Sequence, residues 1–128
     1  MFRYLVSSSR AVSLALALIG ASAAQAHHSA AGVDQNKTIT VSGTLKDFDF
    51  SAPHSQIIVV SQDDTGAMVE TRVSTVAPNA LVKQGFKAKD FVVGDKVEMS
   101  YHPNLNGAGG LMVTLKLGDG RVVKGSLY

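Results

Sequence analysis

The strongest constraint on the fold is a long stretch of alternating apolar and polar residues that changes phase part-way along. In "KTITVSGTLKDFDF", apolar residues or glycine occupy every second position up to Leu45, and apolar residues resume at Phe48 and Phe50. Successive side chains of a β-strand point to opposite faces, so this pattern predicts one long strand. The phase change at Lys46 and Asp47 predicts a β-bulge or a strong bend within that strand.

The rest of the chain has the pattern of short strands and a single short helix. "QIIVVSQ" and "MVETRVS" flank the turn "DDTGA" and predict a β-hairpin. Pro78 fits the first turn of a helix, and Gly85 fits its C-terminal end. "VGDKVEMSYHP" and "LMVTLKL" predict two further strands, and "GDGRVVKG" predicts a turn followed by a short last strand.

This order of elements predicts an all-β fold. The expected architecture is a small five-stranded Greek-key barrel like the OB-fold, with one short helix between strands 3 and 4. A long first strand that bends can serve both halves of a barrel, which closure requires. The same strands could also form an open β-sandwich, but the lone helix stands where one end of a barrel needs to be plugged.

The first 26 residues have the pattern of a secretory signal peptide. Two arginines accompany the apolar stretch "AVSLALALIG", which is too short to span a bilayer, and "ASAAQA" ends in small residues. We therefore expect cleavage after Ala26 and a periplasmic or secreted mature protein without a membrane span. In it, a flexible lead-in over residues 27–36 precedes an OB-like barrel domain over residues 37–128.

Charge and composition exclude several classes of function. The chain holds 12 Lys and Arg against 10 Asp and Glu, and two arginines leave with the predicted signal peptide. A neutral mature protein with few aromatic residues lacks the basic groove that nucleic acids or anionic membranes require. Because the chain has no cysteine, it has neither a disulfide nor a thiol nucleophile. The sequence also shows no evident Ser-His-Asp grouping for nucleophilic catalysis. The oligomeric state is left open.

Four histidines remain after the predicted cleavage, and their positions point to a metal site. His27 and His28 begin the predicted mature chain. His54 lies in "APHS" between the first two strands, and His102 lies in "YHPN" at the end of the fourth. In an OB-like barrel these two connections border one binding face. A proline next to each internal histidine restrains its direction.

An amino-terminal histidine offers both its α-amine and its imidazole Nδ1 to one metal ion. A second imidazole completes a three-nitrogen arrangement, the histidine brace, whose donors favour copper(II). We predict a copper site in which His27 chelates the ion, His54 or His102 supplies the third nitrogen, and His28 is a spare ligand. Met112, predicted to alternate outward beside the same loop, is left open as a thioether ligand.

The motifs "AHHS", "SGTLKDFDFSAPHSQIIV", "VGDKVEMSYHP" and "LKLGDGRVV" follow one another along the chain. In this they resemble an uncharacterised family of small secreted bacterial proteins, a domain of unknown function. The resemblance implies an exported β-rich domain with a His-His-Ser start and no established activity. Where the family has Trp and Asn before its Pro-His pair, this chain has Phe50 and Ala52. Phe86 stands in place of a further Trp and keeps an aromatic wall without the indole donor.

Three functions are consistent with these features. The leading one is a periplasmic copper-binding protein that buffers or delivers the metal. The alternative is a binding module that recognises a small molecule or an envelope protein through the same loops without a metal. A copper-dependent oxidative enzyme is third, since the brace supports such chemistry. A small domain without a broad aromatic substrate surface fits binding better than catalysis.

Overall fold

The computed structural model describes residues 32–125 of the 128-residue chain. The predicted signal peptide lies outside the described residues, as do His27 and His28. Within the described range the chain forms strands joined by short connections, with one α-helix and one 3₁₀-helix. The elements are β1 (Ile39–Asp49), β2 (Gln56–Gln62), β3 (Met68–Ser74), α1 (Pro78–Lys83), a 3₁₀-helix (Ala88–Asp90), β4 (Lys96–Pro103), β5 (Gly110–Lys116) and β6 (Val122–Lys124).

Strand β1 is shared between two neighbours. Its first half, from Ile39 to Thr44, runs antiparallel to β4. Its second half pairs with β2, and the register of this pairing shifts between Leu45 and Asp47. The bulge predicted from the phase change of the sequence is therefore confirmed. It allows one strand to bend from one side of the barrel to the other.

A short parallel pairing between β3 and β5 closes the sheet. Val73 lies opposite Gly110 and Ser74 opposite Leu111, so the sheet order β3-β2-β1-β4-β5 returns to its beginning. This is the Greek-key order of an OB-like barrel, with its helix between the third and fourth strands. The predicted fold class is confirmed. β6 pairs with the later residues of β5.

Helix α1 begins at Pro78, as predicted, and ends just before a glycine in the left-handed region. Gly85 has a φ of +91°, which side chains other than glycine rarely adopt. Its N–H donates to the carbonyl of Val82 at 2.9 Å, and the N–H of Phe86 donates to that of Leu81 at 3.0 Å. These two bonds form a Schellman motif. Leu81 is fully buried in the core, so the helix covers part of the barrel interior.

The prediction that Met112 alternates outward is wrong. Its side chain is 0% exposed and belongs to the core. Tyr101 lies opposite Met112, whereas Ser100 lies opposite Thr114, so β5 contains one extra residue at this point. A bulge of this kind reverses the inside–outside phase of the strand. The Met112 thioether is therefore part of the packing and is not presented as a ligand on the surface.

One arginine, Arg121, contacts the Phe86 ring and two carboxylates. The Arg121 guanidinium lies 5.2 Å from the centroid of the Phe86 ring and donates hydrogen bonds to Asp90 and Asp119. The backbone N–H of Lys87, followed by the Arg121 guanidinium, lowers the pKa of Asp90. The backbone N–H of Arg121, followed by its guanidinium, lowers the pKa of Asp119.

We expect acid to weaken the fold by protonating carboxylates whose pKa is lowered in the folded state. The hydroxyl and backbone N–H of Thr65 lower the pKa of Asp63 in the β2–β3 turn, whereas an unfolded chain has an Asp pKa of about 3.9. The stabilisation is present above that value and is lost as the pH falls through the lower folded pKa. In urea denaturation between pH 2 and 6, Asp63→Asn should flatten the acid dependence. Asp64→Asn, outside this hydrogen-bond network, is the control, and equal slopes in both variants would contradict the explanation.

At Gly43 there is no room for a side chain between β1 and the backbone of β2. A Cβ at this position would overlap with the backbone carbonyl of Val60. Gly43→Ala should therefore lower the free energy of unfolding by about 1–3 kcal/mol, the usual cost of overpacking. Ser42→Ala, an exposed neighbour on the same strand, should change it little. Urea denaturation of both variants measures the difference, and equal stability would show that the strand can relax.

Candidate functional site

His102 lies half-buried near the end of β4, beside the residues that lead into β1. Its Nδ1 is 2.8 Å from the backbone carbonyl oxygen of Lys37 and 3.5 Å from the hydroxyl of Thr38. A carbonyl oxygen can only accept a hydrogen bond, so Nδ1 carries the proton and donates it. The neutral ring then has its free lone pair on Nε2. Imidazoles that bind metals commonly have their other nitrogen engaged in this way.

The segment 32–37, which we call the strap, places the Lys37 carbonyl against His102. Val33 pairs with Asn104 as an isolated β-bridge and is only 8% exposed. The N–H of Asp34 donates to the carbonyl of Pro103 at 2.9 Å. The strap thus lies along the end of β4 and the beginning of the β4–β5 loop.

A turn within the strap redirects the chain toward β1. The carbonyl of Asp34 accepts a hydrogen bond from the N–H of Lys37 at 3.2 Å, and its side chain accepts one from the N–H of Asn36 at 3.1 Å. The lead-in predicted to be flexible covered residues 27–36. Its first part lies outside the described residues, and the remainder, 32–36, makes the contacts of the strap.

Along the barrel wall, the path from His102 to His54 crosses β5 and β3. His102 pairs with Leu111 on β5, which in turn pairs with Ser74 on β3. Ser74 pairs with Gln56, two residues after His54. His102 and Gln56 are therefore three strand spacings apart, which is about 14 Å along the barrel wall. His54 is exposed, and the β5 and β3 strands lie between it and His102 along this path.

The described residues do not by themselves form a complete metal site. Between residues 32 and 125 there is no group of three or more His, Cys, Asp or Glu side chains placed to hold an ion. The other histidines of the predicted site are not part of such a group in this range. His27 and His28 are the predicted donors, and both lie outside the described range.

The surroundings of His102 are defined by the Lys37 carbonyl and by the anchored Val33, and neither was predicted from the sequence. The partner of its Nδ1 is a backbone carbonyl, which every residue carries, so no side-chain pattern could have identified Lys37. Val33 did leave a signal, because it is the only large apolar residue between the predicted cleavage site and β1. That isolated valine indicates an anchored segment.

The fold and the site together define a small OB-like barrel with one preorganised histidine at the end of its fourth strand. A family model described as a family of unknown function (DUF6152) matches residues 15–112, and the chain belongs to this family. The match includes the strap and both internal histidines. No curated protein and no solved structure matches the chain. In the part of the chain that the structure describes, no helix has the length and apolar character needed to cross a membrane.

The hydrogen bond to Lys37 predicts the tautomer of His102. At a pH where the ring is neutral, two-dimensional ¹H–¹⁵N spectra of the imidazole nitrogens should show a protonated Nδ1 and an unprotonated Nε2. Because the partner is a backbone carbonyl, Lys37→Ala should leave this pattern unchanged. A protonated Nε2 in the neutral ring would contradict the assignment.

Proposed function

We propose that this protein is an exported copper-binding protein that buffers or delivers the metal. In this proposal, signal peptidase cleaves after Ala26, and the new terminus supplies two donors, the α-amine and the imidazole of His27. The Nε2 of His102 is the third nitrogen. Three nitrogen donors of this kind suit copper(II), which binds such ligands more tightly than its neighbours in the divalent series.

The observation that carries the proposal is the 2.8 Å hydrogen bond between His102 Nδ1 and the Lys37 carbonyl. It leaves Nε2 as the nitrogen with a free lone pair and restricts the direction in which the ring can turn. A ligand held in this way loses little conformational freedom when it binds a metal. His54 has no comparable hydrogen bond among those found in the described residues, and we therefore propose His102 rather than His54.

The chain is long enough to bring His27 to His102. The N–H of Leu105 donates to the carbonyl of Gly32 at 3.0 Å, and Leu105 is three residues from His102, or at most about 10 Å away. Four residues lie between His27 and Gly32, and the five steps from one Cα to the other span up to about 17 Å when extended. A segment of this length can turn back from the loop and reach the imidazole. His28, next to the chelating residue, is a spare ligand in this proposal.

Two measurements test the proposal in sequence. Mass spectrometry of the exported protein should give His27 as the first residue. Titration of that protein with copper(II), in competition with a chelator of known affinity, should then show one tight site. His27→Ala and His102→Ala should each weaken binding by more than the roughly 10- to 100-fold that loss of an outer hydrogen-bond partner costs.

His54→Ala is the matched control for these variants, because it removes an exposed imidazole from the same barrel. It should bind copper(II) as the unmodified protein does. Equal affinity in the His102→Ala and unmodified proteins would overturn the proposed ligand set. Absence of tight copper binding in a protein that begins at His27 would favour a binding module without a metal.

A further inference from the structure

We infer that Asn106, at the tip of the β4–β5 loop, is a site of spontaneous deamidation, in which the side-chain amide becomes a carboxylate. The inference does not depend on the proposed copper site. Asn106 is followed by Gly107, and both residues are exposed. The ends of the loop are held together, because the N–H of Asn104 donates to the carbonyl of Gly109 at 2.9 Å. At the tip, Asn106 and Gly107 make no hydrogen bond with any other described residue.

The reaction needs only the chain itself and water. The backbone nitrogen of Gly107 loses its proton to solvent and attacks the side-chain carbonyl carbon of Asn106. A new C–N bond closes a succinimide ring, the bond from that carbon to the side-chain nitrogen breaks, and ammonia leaves after taking a proton from solvent. Water then opens the ring at either carbonyl and gives aspartate or isoaspartate. Nothing is oxidised or reduced, and the loop gains one negative charge.

Glycine after the asparagine removes the main steric obstacle to this attack. A side chain on the following residue crowds its backbone nitrogen, and glycine has none. Gly107 has a φ of +89°. Apart from its two chain neighbours, no described atom lies within 4 Å of the position that a Cβ would occupy. The Asn106 side chain and the Gly107 nitrogen are therefore free to reach the geometry of ring closure.

Hydrogen bonds protect the other three asparagines of the chain. The backbone nitrogens that follow Asn36, Asn79 and Asn104 belong to Lys37, Ala80 and Leu105, and they donate to backbone carbonyls at 3.2, 3.0 and 3.0 Å, respectively. Such a bond must break before the nitrogen can attack. Its loss slows the reaction about fivefold, the rate equivalent of a typical net backbone hydrogen bond. We therefore expect Asn106 to react first.

Asp119 and Gly120 form a second pair that favours succinimide formation in sequence, but the structure protects it. The Asp119 carboxylate accepts hydrogen bonds from the backbone N–H and the guanidinium of Arg121. The N–H of Gly120 donates to the carbonyl of Leu117 at 2.9 Å. An ionised and hydrogen-bonded carboxylate resists attack by a nucleophile. We therefore expect Asp119 to form isoaspartate only after the protein unfolds.

The experiment incubates the purified full-length protein in mildly alkaline buffer made with ¹⁸O-water and follows its tryptic peptides by mass spectrometry. The peptide of residues 97–116 contains both Asn104 and Asn106, and its fragment ions separate the two sites. Gly107→Ala keeps the asparagine and adds a side chain after it. Ala108→Gly, on the other side of the same glycine, is the matched control. Thermal melts confirm that each variant is folded.

In the folded protein, Asn106 should give ¹⁸O-labelled aspartate and isoaspartate at least about fivefold faster than any other asparagine. Gly107→Ala should slow this conversion by a similar factor, whereas Ala108→Gly should leave it unchanged. Prior conversion of another asparagine, or an equal rate in Gly107→Ala, would overturn the inference. Aspartate without isoaspartate would also overturn it, because direct hydrolysis of the amide forms no ring.

Unfolding the protein in guanidinium chloride tests the contribution of the structure. The rate advantage of Asn106 over the other asparagines should shrink, because their hydrogen-bonded backbone nitrogens are released. Asp119 should begin to form ¹⁸O-labelled isoaspartate under the same conditions. Rates at both sites that are the same in the folded and unfolded protein would show that the sequence alone sets them, and would overturn the structural part of the inference.

Discussion

The structure depends on one strand, β1, pairing with two neighbours that lie on different sides of the barrel. This is possible because Gly43 has no side chain to collide with the backbone of β2, and because the register shift between Leu45 and Asp47 turns the strand. A straight strand of the same composition could pair with β2 or with β4 over its whole length, and the sheet would stay open. The bend leaves β3 and β5 as the two remaining edges, and their short parallel pairing completes the barrel.

The same pairing decides the surroundings of the candidate site. Because the first half of β1 runs antiparallel to β4, the beginning of one lies beside the end of the other. Lys37 and His102 are 65 positions apart in the sequence, yet a backbone carbonyl of one accepts the imidazole proton of the other. The strap then follows the same edge toward the β4–β5 loop. One continuous part of the barrel wall therefore carries His102, its hydrogen-bond acceptor and the strap.

The family match assigns the chain to a family, but it supplies no activity. A family of unknown function matches residues 15–112, and the match includes the strap and His102. Preorganisation is what separates His102 from His54. Both adjoin a proline, but His102 also has the strap beside it and a fixed acceptor for Nδ1, whereas His54 is exposed just before β2. A binding role follows more directly from one well-held nitrogen than a catalytic role does.

The sequence by itself determined the local elements of the barrel. Alternation and its phase change predicted the bend of β1, and Pro78 and Gly85 delimited the helix, because these signals act between residues close in the chain. Only the tertiary structure decided the phase of β5, where a bulge opposite β4 turned Met112 into the core. It also decided which internal histidine is held by a hydrogen bond, because the acceptor is a backbone group from a distant segment. Backbone carbonyls are the same in every residue, so their partners are determined by strand pairing and not by side-chain identity.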